Sequence, residues 1–275
     1  WPYFYISVGT GEHPLTRLIR PVWKAISGLF PSDRSHVSDS DEKSNRTTFA
    51  AGYHGKVVPL EGAKRLVQVD QDIYLRNPEQ VIPYSRARDI VLQNPGHIVA
   101  LECPCRTSRP DPCLPLDVCL IIGDPFAGFV TEHHPRRSRE ISREEAMEIL
   151  QAEHERGHVH HAFFKDAMLD RFYAICNCCS CCCGAMQAWR SGIPMLASSG
   201  FVSRIRGDIC IACGDCVEIC PFGALQIGDG GVVVDEGLCM GCGVCVSICD
   251  QGAHQLVCDP ARGEPLEVQP LAHRA

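Results

Sequence analysis

One pattern of four cysteines is written twice in this chain, the second copy at a constant offset from the first. Cys210, Cys213, Cys216 and Cys220 are spaced C-x2-C-x2-C-x3-C with Pro221 after the last, and Cys239, Cys242, Cys245 and Cys249 repeat that spacing 29 positions further on. The apolar frame moves with the thiols: Ile209 corresponds to Leu238, Val217 to Val246, Ile219 to Ile248, Gly223 to Gly252 and Ala224 to Ala253. A whole structural unit has been duplicated, so residues 205–257 must fold as two copies of one loop, each wrapped around something that binds sulfur.

A cubane iron–sulfur cluster needs four thiolates around it. Three cysteines at intervals of three residues supply three corners, and the fourth comes from the other repeat. The expected sets are Cys210, Cys213, Cys216 and Cys249 for cluster one, and Cys239, Cys242, Cys245 and Cys220 for cluster two. Gly214, Gly241 and Gly243 fit loops whose backbone passes close to inorganic sulfide. Zinc suits eight interlocked cysteines with a following proline poorly. A disulfide framework would expect an extracellular chain, and no signal peptide is visible. These residues resemble the bacterial two-cluster ferredoxin domain, which implies two [4Fe-4S] clusters in a pseudo-two-fold repeat. The second repeat departs from that family by carrying Asp250 where proline is usual. A carboxylate beside Cys249 stabilises the oxidised form of cluster one, so cluster one is expected to have the lower potential.

The remaining composition sets the surroundings. Nineteen cysteines, an odd number with many in a row, are implausible as disulfides and point to a reducing, anaerobic cytoplasm. A net charge of −7 without a basic block argues against nucleic acid and is compatible with docking to a basic face of a redox partner. No run reaches the length of a spanning helix. The chain begins at Trp1, so membrane association through an upstream segment or a partner stays open.

The fold class expected is α+β: a cysteine-rich α/β domain over 56–205 and the ferredoxin domain over 206–258, preceded by an amphipathic helix and linker over 1–55 and followed by a tail over 259–275. Leu15, Leu18, Ile19, Val22, Trp23, Ile26, Leu29 and Phe30 recur at helical intervals, giving a basic helix over 15–30 that packs on its own domain or docks on a membrane or a partner. Residues 32–48, rich in serine and charge, read as a linker. A helix is expected from Pro83 through Ile90 and Leu92 to the stop at Asn94-Pro95-Gly96. Residues 97–101 then read as a buried strand entering Cys103-Pro104-Cys105-Arg106, and residues 118–122 as another buried segment. Ser142 and Glu145 form a capping box for a helix ending at Gly157. Residues 172–175 read as a strand running into a block of six cysteines. Two strands that each end in a cysteine block suggest a parallel pair with both blocks at one sheet edge.

Ten cysteines fill these blocks: Cys103, Cys105, Cys113, Cys119, Cys176, Cys178, Cys179, Cys181, Cys182 and Cys183. Neighbouring side chains diverge, so the six of 176–183 cannot all reach one metal. They are candidate ligands of one or more additional iron–sulfur clusters, with a zinc site or structural thiols as the alternative. Arg106 could donate to sulfur or be paired elsewhere, and His160 could ligate or orient a metal or be a surface imidazole. The order Ile82-Pro83-Tyr84, strand, C-x-C-R, two later cysteines, the Ile141-Ser142 capping segment, I-C-N-C-C-x-C-C-C, then a two-cluster ferredoxin resembles a group of anaerobe 4Fe-4S binding proteins over about residues 81–257. That resemblance implies an electron-transfer protein or redox subunit of an oxidoreductase, working with a catalytic partner, and supplies no substrate. No G-x-G-x-x-G or G-x4-G-K-[ST] fingerprint accompanies it. The other readings are a catalytic iron–sulfur enzyme with an open-coordination cluster, and an adaptor docking through residues 15–30.

Overall fold

A computed structural model describes residues 53–69, 73–76, 90–165 and 171–270. In chain order the strands are β1 (Tyr53–Val58), β2 (Ile73–Arg76), β3 (Ile90–Leu101), β4 (Cys119–Asp124), β5 (Ser138–Ile141), β6 (Val159–Lys165), β7 (Arg171–Cys178), β8 (Leu196–Ala197), β9 (Phe201–Ile205), β10 (Leu225–Gly228), β11 (Gly231–Val234), β12 (His254–Cys258) and β13 (Glu267–Pro270). The helices are α1 (Leu60–Val67), α2 (Pro104–Thr107), α3 (Phe126–His133), α4 (Arg143–Glu155), α5 (Gly184–Arg190), α6 (Asp215–Ile219) and α7 (Val244–Ile248). The mixture of helices with largely antiparallel strands is an α+β fold.

The large sheet has nine strands in the order β13-β2-β3-β4-β7-β6-β1-β8, with β5 also paired to β3. Alternation along each strand sends side chains to opposite faces. Ile98, Ala100, Leu120, Ile122 and Ile175 meet α1 and α4 through Leu66, Ala146 and Leu150 on one face. Val99, Ile121 and Ala174 pack on the other face against Ala127 of α3. Burying a side chain of this size stabilises the fold by ~1.5–3 kcal/mol. Helix α4 starts where the capping pattern places it, with Ser142 Oγ accepting from Glu145 N at 3.2 Å, and Gly157 follows it at φ +78°.

Several expectations are corrected. Residues 90–92 open strand β3 and do not belong to a helix, because β-branched Ile90 and Val91 find a partner in β2. Asn94-Pro95-Gly96 does not end an element either; with Asn94 at φ +44°, it makes an irregularity inside β3 where the register with β4 shifts between Gln93 and Ile98. Strands β3 and β7 do run in the same direction, but antiparallel β4 lies between them, so they are not a parallel pair. Within the span expected as a tail, β13 returns to pair with β2. The boundary at 206 falls one strand too late, since β9, which precedes it, pairs with β12 of the cysteine repeat. The helix expected over 15–30 and the linker over 32–48 lie outside the described residues.

Candidate metal centres

The interposed strand explains how two distant cysteine blocks meet. Strand β3 ends at Leu101, just before Cys103; β4 starts at Cys119, opposite Leu101; and β7 ends with Cys176 and Cys178. All three termini lie at one edge of the sheet. The chain leaves that edge through α2, which begins at Pro104, and through the turn that leads into α5.

The ten thiols separate there into two groups. Cys103, Cys119, Cys178 and Cys183 are buried, and Cys105 and Cys176 are half-buried beside them. Contacts run from Cys176 to Cys119, Cys119 to Cys103, Cys103 to Cys105, Cys105 to Cys183 and Cys183 to Cys178. Hydrogen bonds from Cys105 and Cys119 push the Cys103 thiol well down, aided by the backbone N–H and the charge of Arg106. The reciprocal contacts push Cys105 and Cys119 up. Hydrogen bonding with Cys183 favours the Cys178 thiolate, yet burial and the charges of Cys176, Cys103 and Cys105 raise it to about 12. Once Cys103 carries a charge its buried neighbours resist losing further protons, a crowding that a multivalent cation relieves because it supplies the missing positive charge.

The second group is Cys113, Cys179, Cys181 and Cys182, whose sulfurs all lie within 4.8 Å of one another. Cys113 Sγ is 3.1 Å from Cys181 Sγ, and the adjacent Cys181 and Cys182 sulfurs converge to 3.7 Å because residues 180–182 form a turn. Contact with Cys181, then burial, pushes the Cys113 thiol up. The turn is held by its carbonyls: Gln187 Nε2 donates to Cys181 O at 2.8 Å, Arg190 Nη1 to Ser180 O at 2.7 Å and Arg109 Nη2 to Cys182 O at 3.2 Å.

In the repeat region the same local structure recurs. Gly214 and Gly243, at φ +94° and +84°, precede the one-turn helices α6 and α7, and extended Cys220 and Cys249 follow them. Ala224 N donates to Cys220 Sγ and Ala253 N to Cys249 Sγ, both at 3.3 Å. Cys210, Cys213, Cys216 and Cys249 line one cavity of about 320 Å³, counting space open to solvent; Cys220, Cys239, Cys242 and Cys245 line another of about 350 Å³. Burial pushes the Cys216 thiol up, and it raises Cys245 to about 11. Four thiols facing each cavity, with backbone N–H groups aimed at sulfur, fit the thiolate corners and the N–H···S bonds of a cubane.

A fold with this thiol geometry is that of a metal-binding iron–sulfur protein. Residues 209–253 match the family model of the 4Fe-4S dicluster domain. No curated protein matches the chain closely enough to count as a relative.

The repeat domain sits against the thiol edge of the sheet. Phe222 and Met240, with Cys220 and Cys242 packed alongside, share a core with Cys178, Cys183, Val57 and Phe163. His154 Nε2 meets Ser247 Oγ at 2.6 Å, and Arg190 Nη2 donates to Pro221 O at 2.9 Å. Met195 and Trp189 pack in this core, Trp189 edge-on to Phe222.

Arg106 is fully buried, and its terminal nitrogens are taken by protein acceptors. Nη2 donates to Glu153 Oε2 at 2.5 Å and Asn177 O at 3.0 Å, while Nη1 bonds to Pro115 O. Burial opposes ionisation of Glu153, but hydrogen bonds from His158 and Arg106 hold its carboxyl below the usual range. Arg106 is therefore a pin between α2 and α4. His160 is buried, pairs across the strands with Asn177 and bonds to its Oδ1 at 2.6 Å, so its reading as a surface imidazole is corrected, and its Nδ1 is held by an amide. Sequence reasoning passed over its neighbour. His161 pairs across the strands with Cys176, is fully buried, and has neither ring nitrogen bonded to protein. Strand alternation alone, once β6 is recognised, would have placed it on the Cys176 face.

Proposed function

We propose that this chain is an iron–sulfur electron-transfer protein, a redox subunit that relays low-potential electrons between a partner protein and a buried centre of its own. Cys210, Cys213, Cys216 and Cys249 hold one [4Fe-4S] cluster, and Cys239, Cys242, Cys245 and Cys220 hold the other, in a pseudo-two-fold pair. The geometry repeated at Gly214 and Gly243, and at Cys220 and Cys249, supports that pairing. Cys103, Cys105, Cys119, Cys176, Cys178 and Cys183 hold a further cluster at the sheet edge.

The observation that carries the reading is the shared wall. Cys220 and Cys242 line the second cavity and also pack into the core that contains Cys178 and Cys183, so the two sites are in contact through protein. The order of centres is then cluster one, cluster two, buried centre. At the outer end, exposed Ile211 and Ile248 line the first cavity and offer a redox partner an apolar face beside cluster one. When bound, such clusters supply one-electron carriers whose potentials the protein sets by charge, burial and hydrogen bonding. The protein's part is to hold the thiolates, exclude water at the buried end and expose the other end.

The test is the double variant Cys103→Ala/Cys119→Ala in anaerobically purified protein. It should lose iron and sulfide from the buried centre while the two repeat clusters keep their EPR signals. Unchanged iron content would remove the third centre. A catalytic reading draws on one observation, the unpartnered His161 imidazole beside Cys176, which offers the buried centre a donor other than sulfur. A cyanide-induced change in the signal of that centre alone would favour it.

A further inference from the structure

The four thiols of the turn are packed differently from those of the other sites. Among the described residues, Cys113, Cys179, Cys181 and Cys182 are the one group of sulfur, imidazole and carboxylate ligand atoms close enough together to surround a single ion. Four thiolates at 2.3 Å from one tetrahedral metal stand about 3.8 Å apart. The thiolates of a cubane are held outside an eight-atom core and stand roughly 6 Å apart. A mutual separation under 4.8 Å therefore leaves no room for that core and suits one ion.

Two further features mark a built site. Adjacent Cys181 and Cys182 would diverge on a strand or a helix, but the turn brings their sulfurs together, and three side chains, Gln187, Arg190 and Arg109, fasten its carbonyls. Cys113 arrives from a separate loop, that between α2 and β4, and its sulfur meets that of Cys181, 68 positions further along the chain.

We propose that Cys113, Cys179, Cys181 and Cys182 bind one thiophilic metal ion, zinc or iron, as a mononuclear tetrathiolate that clasps the 108–117 loop over the buried thiols. Binding replaces four S–H protons by one metal, M²⁺ + 4 RSH giving M(SR)₄²⁻ + 4 H⁺, so no oxidant or reductant is needed. The position follows from chain order: Cys179 and Cys182 adjoin Cys178 and Cys183 of the buried group, while Cys181 reaches the surface. The clasp lies between solvent and the buried centre. It does not depend on the electron-transfer reading, and it withdraws four of the ten thiols from any cluster containing inorganic sulfide.

The full chain is purified anaerobically as wild type, as Cys113→Ala/Cys181→Ala, and as Cys258→Ala, an exposed cysteine outside every group. Metal and acid-labile sulfide are counted in each. The double variant should lose one metal per chain, zinc or iron, with sulfide unchanged, and Cys258→Ala should lose nothing. Loss of zinc identifies a structural ion and loss of iron a rubredoxin-type one. Loss of sulfide together with iron, or no loss of metal, would overturn the proposal. Should the double variant not fold, the wild type decides. Zinc-edge absorption should show four sulfurs at about 2.3 Å without a neighbouring metal, or Mössbauer spectra should resolve a lone FeS₄ iron; absence of both rules the site out.

Discussion

At the scale of single residues, charge and burial near the sulfurs set what each centre can do. Asp250 is exposed and follows Cys249 directly, so in the proposed assignment its carboxylate opposes added negative charge on cluster one. Asp250→Asn should raise the potential of cluster one and leave cluster two nearly unchanged, read by EPR-monitored redox titration; equal movement of both, or of neither, would contradict the assignment. Burial holds His160 down to about 4 and His161 to about 3, so both are neutral in the folded protein at pH 7. Unfolding returns each to an ordinary imidazole that takes up a proton below about pH 6.5. The stability they preserve is thus complete above that pH and falls as the pH drops toward about 4, by ~1.4 kcal/mol per pH unit for each ring. His161→Phe should lose less stability than wild type between pH 7.5 and 5.5 in denaturant titrations; an equal loss would show that the ring is protonated in the fold.

At the scale of elements, two joints hold the thiols in place. The Arg106–Glu153 pair fastens α2, which carries Cys105, to α4, and both side chains are buried. Glu153→Ala leaves the guanidinium uncompensated and should cost about 3–5 kcal/mol in chemical denaturation, whereas Arg106→Met with Glu153→Leu should cost less. In the second repeat, Gly241 has φ +66°, and a Cβ there would lie 2.2 Å from Ser199 Oγ and 2.3 Å from Phe201 O. Gly241→Ala forces the loop from Cys239 to Cys242 off β9. It should remove about four irons, those of cluster two, and spare cluster one; retention of all iron would show that the loop can yield. These joints were only partly legible beforehand. The Ser142 cap and the glycines of the repeat announce themselves because local chemistry demands those residue types there. The Arg106–Glu153 pair joins positions 47 apart through tertiary contact, and neither residue type signals its partner. Residues 90–92 misled for a related reason: Ile90 and Leu92 suit a helix or a strand, and the decision belongs to β2, which pairs with them.

At the scale of the whole molecule, the sheet brings three cysteine-bearing strand ends to one edge and the repeat domain packs there. Recognition of the duplicated thiols required no tertiary information, because the ligand spacing is itself the local structure. How the other ten divide was hidden, since it depends on β4 lying between β3 and β7 and on the turn at 180–182, which turns Cys181 and Cys182 to one side. Among the described residues no helix is long and apolar enough to cross a membrane. The central claim is that the thiols of the repeats hold two cubanes in electronic contact with a buried centre. Potentiometric EPR of the anaerobically purified full chain tests it most directly. The account predicts three reducible clusters, besides any lone iron in the turn, with the spectrum of cluster two broadened by spin coupling to both of the others; colourless protein, or two clusters that titrate without coupling to a third, would contradict it.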